Sequence, residues 1–158
     1  MIVTLAAIGR LKDTEPEQIL TKDWLRRADL TGRALGFRKV QLLEVDPRLP
    51  SPDRDKEAAA LLASFAGDVR LIVLDEGGAM PNSVAFSQQL GQWRDQGERE
   101  LVLAIGGPDG HGQAIKSAAA ATYAFGPWTW PHKLARAMAA EQIYRATSLL
   151  AGSPYHRG

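Results

Sequence analysis

Apolar residues in this chain fall into short, nearly continuous runs, and between them lie longer stretches with a helical period. The runs Ile2–Ile8, Lys39–Val45, Leu71–Leu74, Leu101–Ile105 and Thr122–Phe125 predict strands. Their lack of alternation suits strands buried on both faces. The spacing predicts helices over Pro16–Leu35, Asp53–Ala66, Ser83–Asp95, Gln113–Ala120 and Lys133–Leu150. Strand and helix in regular alternation predict an α/β fold, a parallel sheet with crossover helices. Asp53 is placed to cap the second helix, and Asn82 or Ser83 the third, by accepting from unpaired N–H groups. The segment from Leu42 to Pro52 carries Pro47, Pro50 and Pro52 and reads as a loop. The last helix is apolar on most sides, with Leu134, Ala137, Met138, Ala140, Ile143 and Leu149 spread around it. Such a helix is buried on most sides, which predicts packing against its own sheet and against a second subunit.

A length of 158 residues is expected to form one domain, residues 1–158, with one substantial core. Balanced charge, with 19 Lys and Arg against 18 Asp and Glu, gives no global case for nucleic acid, although a local basic face is compatible with it. Two such clusters stand out. Lys22, Arg26, Arg27 and Arg33 share one predicted helix, where a solvated face is the plainer account. Lys133, Arg136, Arg145 and Arg157 accompany histidine and tyrosine near the C-terminus. No apolar run approaches the roughly twenty residues that span a bilayer, and the first residues read as a strand and not a signal peptide. The absence of cysteine excludes disulfides and thiolate chemistry. The expectation is a cytoplasmic protein with no membrane contact.

Three predicted strand ends carry glycine turns: Leu74-Asp75-Glu76-Gly77-Gly78, Ile105-Gly106-Gly107-Pro108-Asp109-Gly110 and Phe125-Gly126-Pro127-Trp128-Thr129-Trp130. Open α/β sheets bind ligands outside the carboxyl ends of their strands, and glycine lets backbone amides approach a ligand. Together the three turns predict a pocket for a nucleoside-sized ligand. Neither the Rossmann glycine spacing nor a P-loop Lys-Ser/Thr is present, which disfavours phosphate cradling.

The histidines His111, His132 and His156 all lie in the last third of the chain. None has the helical spacing of a zinc motif, so no metal is expected. His111, in a glycine-flanked turn, is expected to face solvent. His132 follows Pro131 at the start of the last helix, where packing is as good an account as chemistry. His156 sits in a tail, Pro154-Tyr155-His156-Arg157, and terminal tails lack order unless something holds them.

As an ordered set these segments resemble the SPOUT methyltransferases of the RlmH type. The resemblance is carried by Leu74-Asp75 with Gly77, Ile105 to Gly110, Thr129 with Pro131-His132, Glu141-Gln142 with Tyr144-Arg145-Ala146, and Pro154 to Arg157. It is specific over roughly the last ninety residues; before Leu71 only Gly9 and the general pattern agree. Two positions depart from the family pattern: Gly78 stands where the family usually has lysine, and Phe125-Gly126-Pro127-Trp128-Thr129 where it often has Leu-Ser-x-x-Thr.

The resemblance implies a sheet whose C-terminal portion threads into a deep trefoil knot, an arrangement no general rule predicts. It implies S-adenosylmethionine as cofactor, held by Leu74, Gly106, Gly107, Gly126, Pro127, Trp128, Thr129, Trp130 and Pro131. It implies methylation of N3 of a pseudouridine in 23S ribosomal RNA, on an assembled ribosome or large subunit, by a homodimer. The nucleophile is an imide nitrogen that must lose a proton, and a histidine is the natural base. His156 is the first candidate for base or substrate-orienting group and His132 the second. Tyr155 is placed to stack on the target base, and Arg157 or Arg136 to hold phosphate or the imide oxygen. A catalytically inactive cofactor- and RNA-binding module is the reading from another class, and the intact Pro154 to Arg157 tail argues against it. A SPOUT enzyme for another RNA position is the nearer alternative.

Overall fold

The structure, a computed structural model, describes residues 1–156. Five strands, β1 (Ile2–Ile8), β2 (Lys39–Val45), β3 (Arg70–Ala79), β4 (Glu100–Ile105) and β5 (Ala121–Tyr123), form one sheet in the order β2-β1-β4-β3-β5. Every pairing is parallel. The helices are α1 (Pro16–Arg33), α2 (Arg54–Ser64), α3 (Ser83–Asp95), α4 (Gln113–Ala118) and α5 (His132–Leu150). The predicted α/β class and the predicted element order both hold.

Successive strand side chains point to opposite faces, and both faces are used. Val3, Leu5, Ala7, Leu101, Leu103 and Ile105 face a core with Leu25 and Ala28 of α1, Phe86 and Leu90 of α3, and Ala139, Ala140 and Ile143 of α5. The alternate residues Ala6, Ile8, Val102, Ala104, Leu71 and Val73 pack against Ala58 and Leu61 of α2 and Ile115 of α4. Asp53 caps α2, accepting from the amides of Asp55 and Lys56, and Asn82 caps α3, accepting from Ala85.

Part of the apolar surface of α5 is buried within this chain. Ala139 and Ala140 are fully buried between sheet and helices, so these two positions need no second subunit to cover them. Leu134 remains 36% exposed. Strand β3 runs on from Leu74 to Ala79 and resumes pairing with β5 at Ala79–Tyr123 after a register shift. Close approach explains Gly78 there. A Cβ on Gly78 would lie 2.5 Å from the carbonyl carbon of Tyr123, leaving no room for a side chain.

Arg136 was expected to reach substrate. It is instead 1% exposed, and its Nη1 pairs with Glu44 at 2.7 Å. Its Nη2 donates to the carbonyls of Ile8 and Gly9 at 2.9 and 3.0 Å. A guanidinium has five donors in a fixed fork, and this one fastens α5 to the carboxyl ends of β1 and β2.

Candidate functional site

The three glycine-bearing turns converge. Outside the carboxyl ends of β3, β4 and β5 lies a cavity of about 410 Å³, closed by the first turn of α5 and by Arg54 and Lys116. Of the residues singled out in the sequence, Leu74, Gly106, Gly126, Trp128, Thr129, Trp130 and His132 line it. Gly107, Pro127 and Pro131 are not in its lining. Gly107 is turned towards α2, where a Cβ would lie 2.6 Å from Glu57 Oε2. Pro131 caps α5, its carbonyl accepting from Ala135 N at 2.9 Å.

The β4 turn is tight. Gly110 N donates to the Gly107 carbonyl at 3.0 Å, and Gly110 has φ +75°, a region that L side chains rarely adopt. A Cβ on Gly106 would meet the Gly110 carbonyl oxygen at 2.7 Å and the His111 ring at 3.3 Å. This folded-back turn also corrects the expectation for His111. The turn carries its ring inward beneath Gly106, leaving it 5% exposed, with Nε2 3.2 Å from the Ala104 carbonyl oxygen.

The cavity is electrically mixed. Asp75 pairs with Lys116 at 2.7 Å. Burial works to raise the Asp75 pKa, but Lys116 and the Gly77 amide outweigh it and hold the carboxyl below its usual range. Glu76 accepts from the Thr129 hydroxyl at 2.9 Å, joining the first turn to the third. The indole N–H of Trp130 is buried with no partner among the described residues. Arg54, exposed at the cavity mouth, has no ion pair among the described residues. Sequence reasoning missed Arg54 and Lys116 because only the tertiary fold brings α2 and α4 to the strand ends.

Burial depresses the pKa of His111, with the Ala104 carbonyl and Asp75 opposing. Burial depresses that of His132 as well, helped by Arg136 and Lys133. The folded protein therefore keeps His111 neutral where the unfolded chain, near the ordinary value of 6.5, takes up a proton. In that window the unfolded state binds more protons, so stability falls as pH drops. Urea midpoints for the native protein are expected to fall between about pH 7.5 and pH 5. His111→Leu is expected to fall less over the same interval; equal slopes would remove His111 as a source.

The tail lies elsewhere. Tyr155 packs edge-on against Tyr144, with ring centroids 4.7 Å apart, and lies 5.9 Å from Trp24. Its hydroxyl donates to Glu141 at 2.9 Å. Arg145 covers the Tyr155 ring at 4.8 Å and meets His156 Nδ1 at 3.2 Å. Neither Tyr155 nor His156 lines the cavity. The tail is seated over Glu141 and Arg145, roughly 14 to 20 Å along α5 from His132 at the helical rise per residue. Arg157 lies outside the described residues.

The basic clusters are largely neutralised. Lys22 pairs with Asp13, Arg26 and Arg27 with Asp23, and Arg33 with Asp29. Lys133 pairs with Glu15 and Arg145 with Glu141. Among the described residues no helix is long and apolar enough to cross a membrane, and no three potential ligands are grouped for a metal.

An open parallel sheet with a mixed-charge cavity outside its strand ends defines the class of this chain, an open α/β protein. Comparison with known proteins narrows the class. The family described as "Predicted SPOUT methyltransferase" matches residues 1–156. A relative from Phenylobacterium zucineum (strain HLK1) is 49% identical over 157 residues, covering 99% of each chain. One from Hyphomonas neptunium is 46% identical over 157 residues with the same coverage. Both carry the name ribosomal RNA large subunit methyltransferase H. The chain belongs to the SPOUT methyltransferase family, and that family implies a methyl donor. The fold is shared with a probable methyltransferase from Bordetella pertussis Tohama I, at a TM-score of 0.52 and 17% identity, covering 92% of this chain and 95% of that one.

Proposed function

We propose that this protein methylates N3 of a pseudouridine in 23S ribosomal RNA, using S-adenosylmethionine, as a homodimer of single knotted domains. The observation that carries the reading is the convergence of three glycine-bearing turns on one cavity, in a chain whose relatives bear the name of a ribosomal RNA methyltransferase. The cavity fits the cofactor. Its volume lies within the range of about 300 to 1,000 Å³ usual for small-molecule sites. Gly106 lines the cavity in a turn too tight for a Cβ, and the buried Trp130 indole N–H lacks a partner among the described residues. Asp75, Glu76 and Asp109 suit cationic groups, and Arg54 and Lys116 suit a carboxylate.

When bound, S-adenosylmethionine supplies an already activated methyl group. What this chain must supply is position and a route for one proton. Leu74 and the turns at Gly106 and Gly126 form the wall, with Trp128 to Trp130 closing it. His156 serves as base or as orienting group. With Arg145 donating to Nδ1, the neutral ring carries its proton on Nε2, and that N–H is suited to a carbonyl of the imide. Taking a proton at Nδ1 requires Arg145 to release it. His132, in the lining, is the second candidate for base. The tail reaches the cavity of the partner subunit, which is consistent with its position away from the cavity of its own chain.

Gly106→Ala tests the cofactor site, because the opposing Gly110 atoms are backbone and cannot turn aside. Calorimetric binding of S-adenosylmethionine is expected to weaken at least tenfold, about 1.4 kcal/mol, with folding retained. Native affinity in the folded variant would remove the turn from the site. Gly107→Val should act more weakly, since the Glu57 carboxylate it meets ends a flexible side chain. For the substrate, mass spectrometry of ribosomal RNA from a deletion strain should show one pseudouridine short of a methyl group, restored by complementation. An unchanged spectrum would refute the assignment.

A further inference from the structure

A second cavity, of about 330 Å³, adjoins the first. The two share Leu74 and residues 123 to 126 as a common wall, which at Gly126 carries no side chain. Their linings differ in kind. Acids, bases and two histidines line the first, as a charged, zwitterionic ligand requires. No Asp, Glu, Lys, Arg or His lines the second. Its walls are Phe86, Leu103, Tyr123 and Phe125, and its rim carries the uncharged polar groups of Asn82, Ser83 and Gln142. Aromatic faces with amide and hydroxyl groups at one edge are the chemistry that recognises a single unstacked base.

The rim is ordered by hydrogen bonds. Ser83 Oγ donates to Gln142 Oε1 at 2.7 Å, and Gln142 Nε2 donates to Glu141 Oε2 at 2.8 Å. The other oxygen of Glu141 accepts from Tyr155 at 2.9 Å and from Arg145 Nε at 3.0 Å. Glu141 thus ties the rim to the neighbouring part of α5. The Asn82 side-chain oxygen is engaged in capping α3, so its amide N–H groups are the part of the rim that suits a carbonyl oxygen.

We propose that the second cavity is the site of the target base, an uncharged pyrimidine imide, with Ser83 and Gln142 as specificity-determining residues at its rim. This rests on the methyltransferase reading above. The cofactor then takes the charged cavity and the base the uncharged one, the two meeting at Gly126, where no side chain stands between methyl group and acceptor.

Ser83→Met tests it. Ser83 opens α3 and lies outside both buried core clusters, so a longer side chain there intrudes on the second cavity alone. The expected result is a native-like melting temperature, calorimetric affinity for S-adenosylmethionine within about twofold of native, and kcat/KM for ribosomal substrate at least tenfold lower. Gln142→Leu, of similar volume, removes the polar edge instead. It is expected to raise KM for ribosomal substrate while cofactor affinity holds, and it carries the test if Ser83→Met fails to fold. A parallel loss of cofactor affinity would give the cavity to the cofactor, and unchanged KM and kcat would remove the base from it; either overturns the proposal. A native protein that transfers no methyl group to ribosomal RNA would refute the methyltransferase reading itself, an outcome visible before any variant is made.

Discussion

Arg136→Ala is expected to cost about 3–5 kcal/mol of unfolding free energy, the range for breaking a buried ion pair by removing one partner. The size follows from what is left behind. Glu44, largely shielded from water, would keep only the Leu11 amide at 3.0 Å and Gln18 at 3.3 Å. The carbonyls of Ile8 and Gly9 would lose their guanidinium donor. Leaving buried acceptors unmet is more costly than the pair is stabilising. Urea unfolding at neutral pH measures the difference, and a loss below about 1 kcal/mol would mean that water or repacking replaces the guanidinium. Arg136 lies one helical turn beyond His132, so loosening it should also disturb the cavity wall and lower cofactor affinity. A residue holding RNA phosphate would behave otherwise. Its loss would leave stability unchanged and reduce the salt dependence of RNA binding.

This buried arginine marks where sequence reading reached its limit. Strand and helix positions were legible because burial on both sheet faces leaves nearly unbroken apolar runs, and because Asp53 and Asn82 mark helix starts by a local hydrogen bond. The convergence of three turns was legible because parallel strands put their carboxyl ends on one edge. What could not be read was the partner of each charge. Arg136 and Arg145 look alike in sequence. Only the fold sets one against Glu44, 92 residues away, and the other against Glu141 one turn back on its own helix. His111 was misread for a similar reason. A glycine-flanked turn is ordinarily exposed, but this one doubles back through Gly110 and carries the ring inward. The apolar circumference of α5 was read correctly as burial, but Ala139, Ala140 and Ile143 are absorbed by the chain's own sheet and helices. Any dimer face must therefore be sought among exposed residues such as Leu134.

His156→Ala is expected to reduce methylation of ribosomal substrate on the order of a hundredfold or more if the side chain is a general base, with S-adenosylmethionine binding nearly unchanged. The separation of the two effects is what the geometry demands, because His156 does not line the cofactor cavity of its own chain. Its neighbour in the fold is Arg145, and losing that contact alone should leave turnover untouched. Full activity in the variant would therefore sink the catalytic role. Mixing subunits then decides which cavity the tail serves. A Gly106→Ala subunit paired with a His156→Ala subunit has one cavity lesion and one tail lesion. If the tail acts across the dimer, both lesions fall on one site, and the other site combines an intact cavity with an intact tail, so activity returns. If the tail acts within its own chain, each site carries one lesion and activity stays low. A tail seated over Glu141 and Arg145, well along α5 from His132, favours the first outcome: reaching its own cofactor cavity would require lifting Tyr155 off Tyr144 and crossing several turns of helix. Absence of rescue in verified heterodimers would place the tail's work within its own chain.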